Sequence, residues 1–269
     1  MNRLKVSLYS ILLLVSGFAF AADQIPPKPA ASCAVQIPYG SPTVKANSVV
    51  ICRTAYILDS DTVAKIPNWV AWTLTPDHAI GCVARTNAFA ADQSLAVTGR
   101  ADPKDYAGNG YDQGHLANDA DMSWDPQVEH ESFYMSNMSP QLPSVNRGTW
   151  KNLESAERAW VYSTKHAHTI IAGNFWSASS KTIGADKVVV PDYLYKILTD
   201  DVTKKSYAFL FPHKDGLSSD YTQYQVTVAD IEKLTGMTFP IPDSKTVKNP
   251  VITTDLKTLA DDKKKQCKE

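Results

Sequence analysis

The stretch Tyr111-Asp112-Gln113-Gly114-His115-Leu116-Ala117 packs an acid, an amide and a histidine around one glycine. Further on, Ser136-Asn137-Met138-Ser139-Pro140-Gln141 and Asn146-Arg147-Gly148-Thr149-Trp150-Lys151-Asn152-Leu153-Glu154 add side-chain amides and a carboxylate. A lone loop histidine is usually structural, and an asparagine before a helix usually caps it. The weight lies in the set, which combines a group that titrates near neutrality with several neutral oxygen donors and an acid. The last piece also opens a helical pattern: Thr149 to Tyr162 places Leu153, Ala156 and Trp160 on one face. On one continuous helix Asn146 and Glu154 would stand about 12 Å apart at roughly 1.5 Å per residue, within about 80° of each other, so that both face one cleft.

Outward from this helix, β-branched and aromatic runs at Thr169–Asn174, Val188–Val190, Tyr193–Leu198 and Tyr207–Phe211 predict strands. Val49–Leu58 and Trp69–Leu74, separated by Asp59-Ser60-Asp61, predict an antiparallel hairpin, and Val228–Thr235 predicts a helix closed by Gly236. Strands on both sides of one long helix give an α+β domain. The glycine-rich Gly108-Asn109-Gly110-Tyr111-Asp112-Gln113-Gly114 is no dinucleotide loop, because its third glycine comes one position late and no apolar strand feeds it. Its glycines let the backbone turn sharply before His115.

The 269 residues are 43% apolar and 20% charged, enough to bury a core, which excludes disordered and low-complexity architectures. A formal net charge of -1 gives no whole-molecule attraction to polyanions, so any such affinity must be local. Residues 1–21 read as a leader: Arg3 and Lys5 precede an apolar run, and Ala19-Phe20-Ala21 offers the small residues of a cleavage site after Ala21. The organisation expected is a signal peptide (1–21), an N-terminal arm (22–47) and one domain (48–269) whose Lys263-Lys264-Lys265 lies in a solvated, frayed tail. Export to a secreted or periplasmic location, with no membrane attachment after cleavage, makes the even cysteine count read as two disulfides. Of the three connectivities, folding the hairpin about residue 62 sets Cys52 opposite roughly residue 73 and a short return from Cys82, which favours Cys52–Cys82 and leaves Cys33–Cys267.

No Gly-x-Ser-x-Gly elbow, His-Glu-x-x-His helix or Walker loop occurs. Order and spacing of the quoted blocks, together with Arg53-Thr54-Ala55-Tyr56-Ile57-Leu58, Asn68-Trp69-Val70-Ala71-Trp72 and Val226 to Gly236, resemble the DNA/RNA non-specific endonucleases, the ββα-metal nucleases, over roughly residues 48–240. The resemblance implies a single ββα-metal domain, an antiparallel sheet with a long metal-site helix. It implies His115 as general base, Asn146 as the one protein ligand of Mg²⁺ (Mn²⁺ being another suitable divalent cation), and Glu154 as the carboxylate holding the cation's waters. Asn137 becomes an amide that fixes the site, Arg85 an arginine facing the phosphate, and Arg158 a further phosphate contact. Products would carry 5′-phosphate and 3′-hydroxyl ends.

The chemistry is coherent on its own terms. Phosphodiester hydrolysis needs an in-line water, a base to take its proton and stabilisation of extra negative charge. Histidine suits the proton step, and Mg²⁺ accepts one neutral oxygen plus waters. Two positions depart from the family pattern: Gln113 stands where the family has arginine, and Asn118 where a proline commonly follows His-x-Ala. A neutral amide keeps hydrogen bonding but loses charge.

Cationic contacts are expected only around the cleft, from Arg85, Arg100, Arg147, Lys151 and Arg158, with Gln113 beside them, so that the DNA or RNA backbone rather than base edges is read. Asp112 reads as a turn residue capping backbone amides. Trp69, Trp72, Trp150 and Trp160 read as core anchors, and His78, His130, His166, His168 and His213 as surface or core residues. Two rival functions stay open: a secreted binding or scaffold protein on a degenerate nuclease fold, and a phosphodiesterase acting on another phosphate ester. The sequence sets no oligomeric state.

Overall fold

The structure, a computed structural model, describes residues 30–243, 248–249 and 255–268. The leader reading, residues 1–21, lies outside the described residues, as does the start of the arm. In chain order the strands and helices are β1 (Ser48–Cys52), β2 (Tyr56–Asp61), β3 (Pro67–Leu74), β4 (Asp112–His115), α1 (Asp119–Met122), α2 (Pro126–Ser132), β5 (Met138–Gln141) and α3 (Lys151–Thr164). They continue with β6 (His168–Phe175), β7 (Thr182–Ile183), β8 (Val188–Val189), β9 (Tyr193–Asp200), β10 (Ser206–Pro212), β11 (Gln225–Val226), α4 (Val228–Thr235) and α5 (Leu256–Cys267). Seven strands form one antiparallel sheet in the order β1-β2-β3-β6-β9-β10-β11, and β4 pairs with β5 as a separate ribbon. This is the α+β architecture expected of a ββα-metal nuclease.

Period-2 alternation sends the sheet's side chains to two apolar layers. On one face Val70, Trp72, Ile170 and Leu198 pack against Leu153, Trp160 and Val161 of α3. On the other, Trp69, Ile171, Tyr195 and Ile197 pack against Val228 and Ile231 of α4 and against Cys33 in the short helical turn Ala30–Gln36. Because both faces are covered, β6 and β9 are buried along nearly their whole length instead of alternating between core and solvent. α4 has the expected bounds, with Gly236 in the left-handed conformation (φ 65°) at its end. All four of the named tryptophans are buried.

Three expectations need correction. Val49–Leu58 is not one strand. The chain turns back at residues 53–55, where the Arg53 N–H donates to Tyr56 O at 2.8 Å and the buried guanidinium pairs with Asp92 at 2.5 Å. Cys52 therefore faces Ile57 across β1–β2 rather than residue 73, on the face capped by the Ala30–Gln36 turn. The disulfides are accordingly Cys33–Cys52 and Cys82–Cys267, not Cys52–Cys82 and Cys33–Cys267. Cys82 leaves the sheet altogether, beside Ser123, whose carbonyl accepts from Val83 N–H, and meets α5 there. The lysine-rich segment is correspondingly helical, inside α5, and tethered rather than frayed. Thirdly, Val145–Trp150 forms a wide helical turn in which Gly148 (φ -107°, ψ -117°) leaves the helical path before α3 begins at Lys151. Asn146 and Glu154 are therefore not on one continuous helix, and the 12 Å and 80° arithmetic does not apply.

His168 is fully buried, edge-on to Trp160 (centroids 4.5 Å apart), and neither ring nitrogen has a partner. Burial lowers its pKa to about 4 against the pull of Asp200. The unfolded chain, with histidine near 6.5, then binds more protons between those values, so this residue's share of stability is complete above about pH 6.5 and is lost as pH falls toward 4. At pH 5 the loss is about 2 kcal/mol, or ~4–8 °C in Tm for a domain of this size. Thermal melts at pH 7 and pH 5 should show His168→Leu losing less Tm than the native chain by that margin; equal losses would place the titration elsewhere.

Candidate active site

The ribbon β4–β5 fixes the first half of the site. Asp112↔Gln141 and His115↔Met138 are register partners, and Gly114 sits where a Cβ would come within 2.2 Å of the Gln141 side chain. Only glycine there lets Gln141 approach and donate from Nε2 to the His115 carbonyl at 3.3 Å. Asn137 holds the next segment: its Oδ1 accepts from Ala117 N–H at 3.0 Å and its Nδ2 donates to the Ala117 and Ser132 carbonyls at 2.8 Å. Asn137 is fully buried outside the cavity, so it positions the chain after His115 rather than touching anything bound. Upstream, Gly108 and Gly110 turn the backbone at φ 72° and 79°, as their place before β4 suggested.

A cavity of about 380 Å³ opens between β4, α1, the Val145–Trp150 turn and α3. It brings together His115, Asn146, Glu154, Arg85, Gln113, Arg147 and Arg158, with Lys151 at the same rim. Arg100 is not among its walls, because its guanidinium is held by Gln93 Oε1 at 2.5 Å and by the Leu95 carbonyl. His115 lies against Phe133 and Phe89, and its Nε2 is buried without a partner. Burial, then the charge of Arg85, lowers its pKa to about 3, so the ring is neutral with an acceptor nitrogen at physiological pH. Arg85 lies over Phe133, donates to Asn87 at 2.7 Å and ion-pairs with Asp119.

Asp112 is not a capping turn residue. Its Oδ2 accepts from Asn146 Nδ2 at 2.9 Å and from Arg147 Nε at 2.8 Å, while Oδ1 takes Arg147 Nη2 at 2.6 Å. The carboxylate thus occupies the amide nitrogen of Asn146 and leaves its carbonyl oxygen for a cation. Among the described residues no group of three or more His, Cys, Asp or Glu could cage a metal. One amide oxygen and the nearby Glu154 carboxylate form a donor set of hard oxygens that suits a largely hydrated Mg²⁺ or Mn²⁺. Burial raises the Glu154 pKa to about 7 despite Lys196 and Arg158.

Lys196, Glu157 and Asp121 escaped sequence reading, and Asn118 shows there only as a departure from the family pattern. Lys196 of β9, fully buried, reaches Glu157 of α3 at 3.1 Å from Oε2 and 3.2 Å from Oε1, and its ammonium lies 4.7 Å from the Trp150 ring centroid. Asn118 donates to Glu157 at 3.4 Å and accepts from Arg158 at 2.9 Å. Asp121 takes the Arg158 guanidinium at 2.9 Å and the Trp72 indole N–H at 3.0 Å. A usable sign existed: Lys196 is a lone lysine inside the apolar run Tyr193-Leu194-Tyr195-Lys196-Ile197-Leu198. Such a residue, in a strand covered on both sides, must find a buried partner.

Residues 36–243 match the DNA/RNA non-specific endonuclease family. A Nuclease of Nostoc sp. is 30% identical over 255 residues, 87% of this chain and 92% of that protein. A Nuclease of Serratia marcescens is 30% identical over 246 residues, 88% of each. Among solved structures, one of the EndoG/EndoGI complex is similar with a TM-score of 0.71 at 26% identity, over 78% of this chain and 91% of that one. Mitochondrial relatives are longer, and the chain spans about half their length.

Since Asp112 orients Asn146 and Arg147 together, Asp112→Ala is expected to lower plasmid cleavage ~10–100-fold, the usual cost of removing a residue that orients a metal ligand. Circular dichroism should not change. Full cleavage by the variant would mean that Asn146 keeps its orientation without this carboxylate.

Proposed function

The chain belongs to the DNA/RNA non-specific endonuclease family, and from its cavity we propose a secreted or periplasmic, divalent-metal-dependent endonuclease that hydrolyses DNA and RNA with little sequence preference. One observation carries this reading: a neutral His115 shares a cavity with an amide oxygen, a carboxylate and several cationic side chains. The exported location rests on the leader composition and the disulfides.

In this proposal Arg158, Lys151 and Arg85 draw the phosphate backbone in and fix the scissile phosphate, without reading bases. Asn146 Oδ1 and Glu154 would hold a divalent cation, which would supply Lewis-acid stabilisation of the phosphate there. His115 accepts a proton from the attacking water at a ring nitrogen as the new P–O bond forms and the bond to the 3′ oxygen breaks. That oxygen leaves with a proton from solvent, giving 5′-phosphate and 3′-hydroxyl ends. Burial keeps the ring neutral and ready to accept a proton, and the arriving anion offsets the smaller lowering due to Arg85.

Purified protein should cleave supercoiled plasmid and structured RNA in Mg²⁺ and not in EDTA. His115→Ala should cost ~10²–10⁴-fold or more while the fold is kept. Asn146→Ala should abolish cleavage with little loss of stability, since a hydrated Mg²⁺ contributes little to folding. Wild-type rates from either variant would sink the assignment, and native protein that binds nucleic acid without cutting it would favour the scaffold reading.

Gln113 lines the cavity with its Nε2 donating to the Pro103 carbonyl at 3.3 Å, so its side chain already reaches the substrate's space. Gln113→Arg is expected to raise kcat/KM, with the gain shrinking at high salt as screening removes the added attraction. A variant with unchanged kcat/KM and salt dependence would mean that the position is structural.

A further inference from the structure

The helix α5, Leu256–Cys267, lies beyond the residues that match the family, yet it is joined to the body by Cys82–Cys267 and by Tyr162, whose hydroxyl donates to Asp262 at 2.9 Å. A second cavity of about 300 Å³ opens between α5 and α3, and it shares Ala120 and Arg158 with the site cavity. Its walls are chemically mixed. Leu256, Leu259 and Ala260 present apolar surface, while Lys263, half-buried, stands across from Arg158 on the rim. The acids of α5 are neutralised by their own helix: Asp261 pairs with Lys257 at 2.6 Å and Asp262 with Lys265 at 3.0 Å. Lys263 has no ion pair among the described residues, so it brings an uncompensated positive charge to the second cavity.

We propose that α5 forms the second half of the nucleic-acid track, in which the strand flanking the scissile phosphate runs past Arg158, sets its next phosphates on Lys263 and lays a sugar or base on Leu256, Leu259 and Ala260. Continuity with the site, charge complementarity and a mixed apolar and cationic lining all fit a single strand of nucleic acid. The inference rests on the endonuclease reading. The disulfide keeps α5 seated, so the tether contributes to substrate affinity rather than to the chemical step.

The test compares native protein with Lys263→Glu, Lys263→Arg and the double variant Cys82→Ser/Cys267→Ser. Anisotropy of a fluorescein-labelled 30-nucleotide single-stranded DNA in EDTA reads binding without cleavage. Lys263→Glu should weaken binding several-fold and flatten the slope of log K against log salt by about 0.7, the loss of one phosphate contact. Lys263→Arg should keep the native values, and the double variant should weaken binding at full plasmid kcat. For Lys263→Glu, KM for plasmid should rise with kcat held. Native affinity and salt slope in Lys263→Glu would overturn the proposal while plasmid cleavage still supports the endonuclease. Failure of the native protein to cleave plasmid in any divalent cation would instead remove the endonuclease reading itself.

Discussion

Everything above the sheet depends on one buried charge. Lys196 projects from the covered strand β9 with no exposure, its ammonium near the Trp150 and Trp72 rings and paired with Glu157. Such a pair adds little net stability, since two charges have left water, but removing either partner strands the other and costs about 3–5 kcal/mol. Its contribution is therefore geometric. An apolar helix face can rotate over an apolar sheet at small cost, whereas α3 with Glu157 pinned to Lys196 has one rotation, and that rotation turns Glu154 and Arg158 into the cavity.

The same logic extends outward by hydrogen bonds. Trp72 on β3 holds Asp121, Asp121 holds Arg158, and Asn118 joins Arg158 to Glu157. Sheet, α1 and α3 are thus tied by polar contacts at the base of the site, where water is scarce and each contact is stronger than at the surface. On the other side Asp112 ties the ribbon β4–β5 to the turn that carries Asn146. His115 is positioned from one direction and the Asn146 amide from another, so the distance between them is set by how the ribbon is tied to that turn.

The parts of the fold legible in the sequence were those written in side-chain periodicity: β6, β9, β10 and α4 show their bounds because apolar and β-branched residues recur at the right spacing. β4 and β5 were invisible. Asp-Gln-Gly-His and Met-Ser-Pro-Gln have no strand propensity, and they pair because Gly114 admits Gln141 and Asn137 braces the following residues. The break between β1 and β2 was hidden for another reason: Arg53, a residue that reads as strand interior, is turned inward to a buried Asp92 far along the chain. That one tertiary contact redirected Cys52 and with it both disulfides. The candidate site residues could be listed from order and spacing, but their support could not, because Lys196, Asp121 and Asn118 acquire meaning only through partners distant in sequence.

The two departures from the family pattern differ in kind once the structure is considered. At position 118 a proline would offer neither donor nor acceptor in its side chain, while Asn118 caps α1 by accepting from Asp121 N–H at 3.0 Å and also bridges Arg158 and Glu157. The amide is therefore integrated into the floor, and it orients Arg158 at the cavity wall. At position 113 nothing comparable has happened: Gln113 spends its amide on a long bond to the Pro103 carbonyl and brings no charge. Positive side chains stand farther along α3 instead, at Arg158 and at Lys263 of α5.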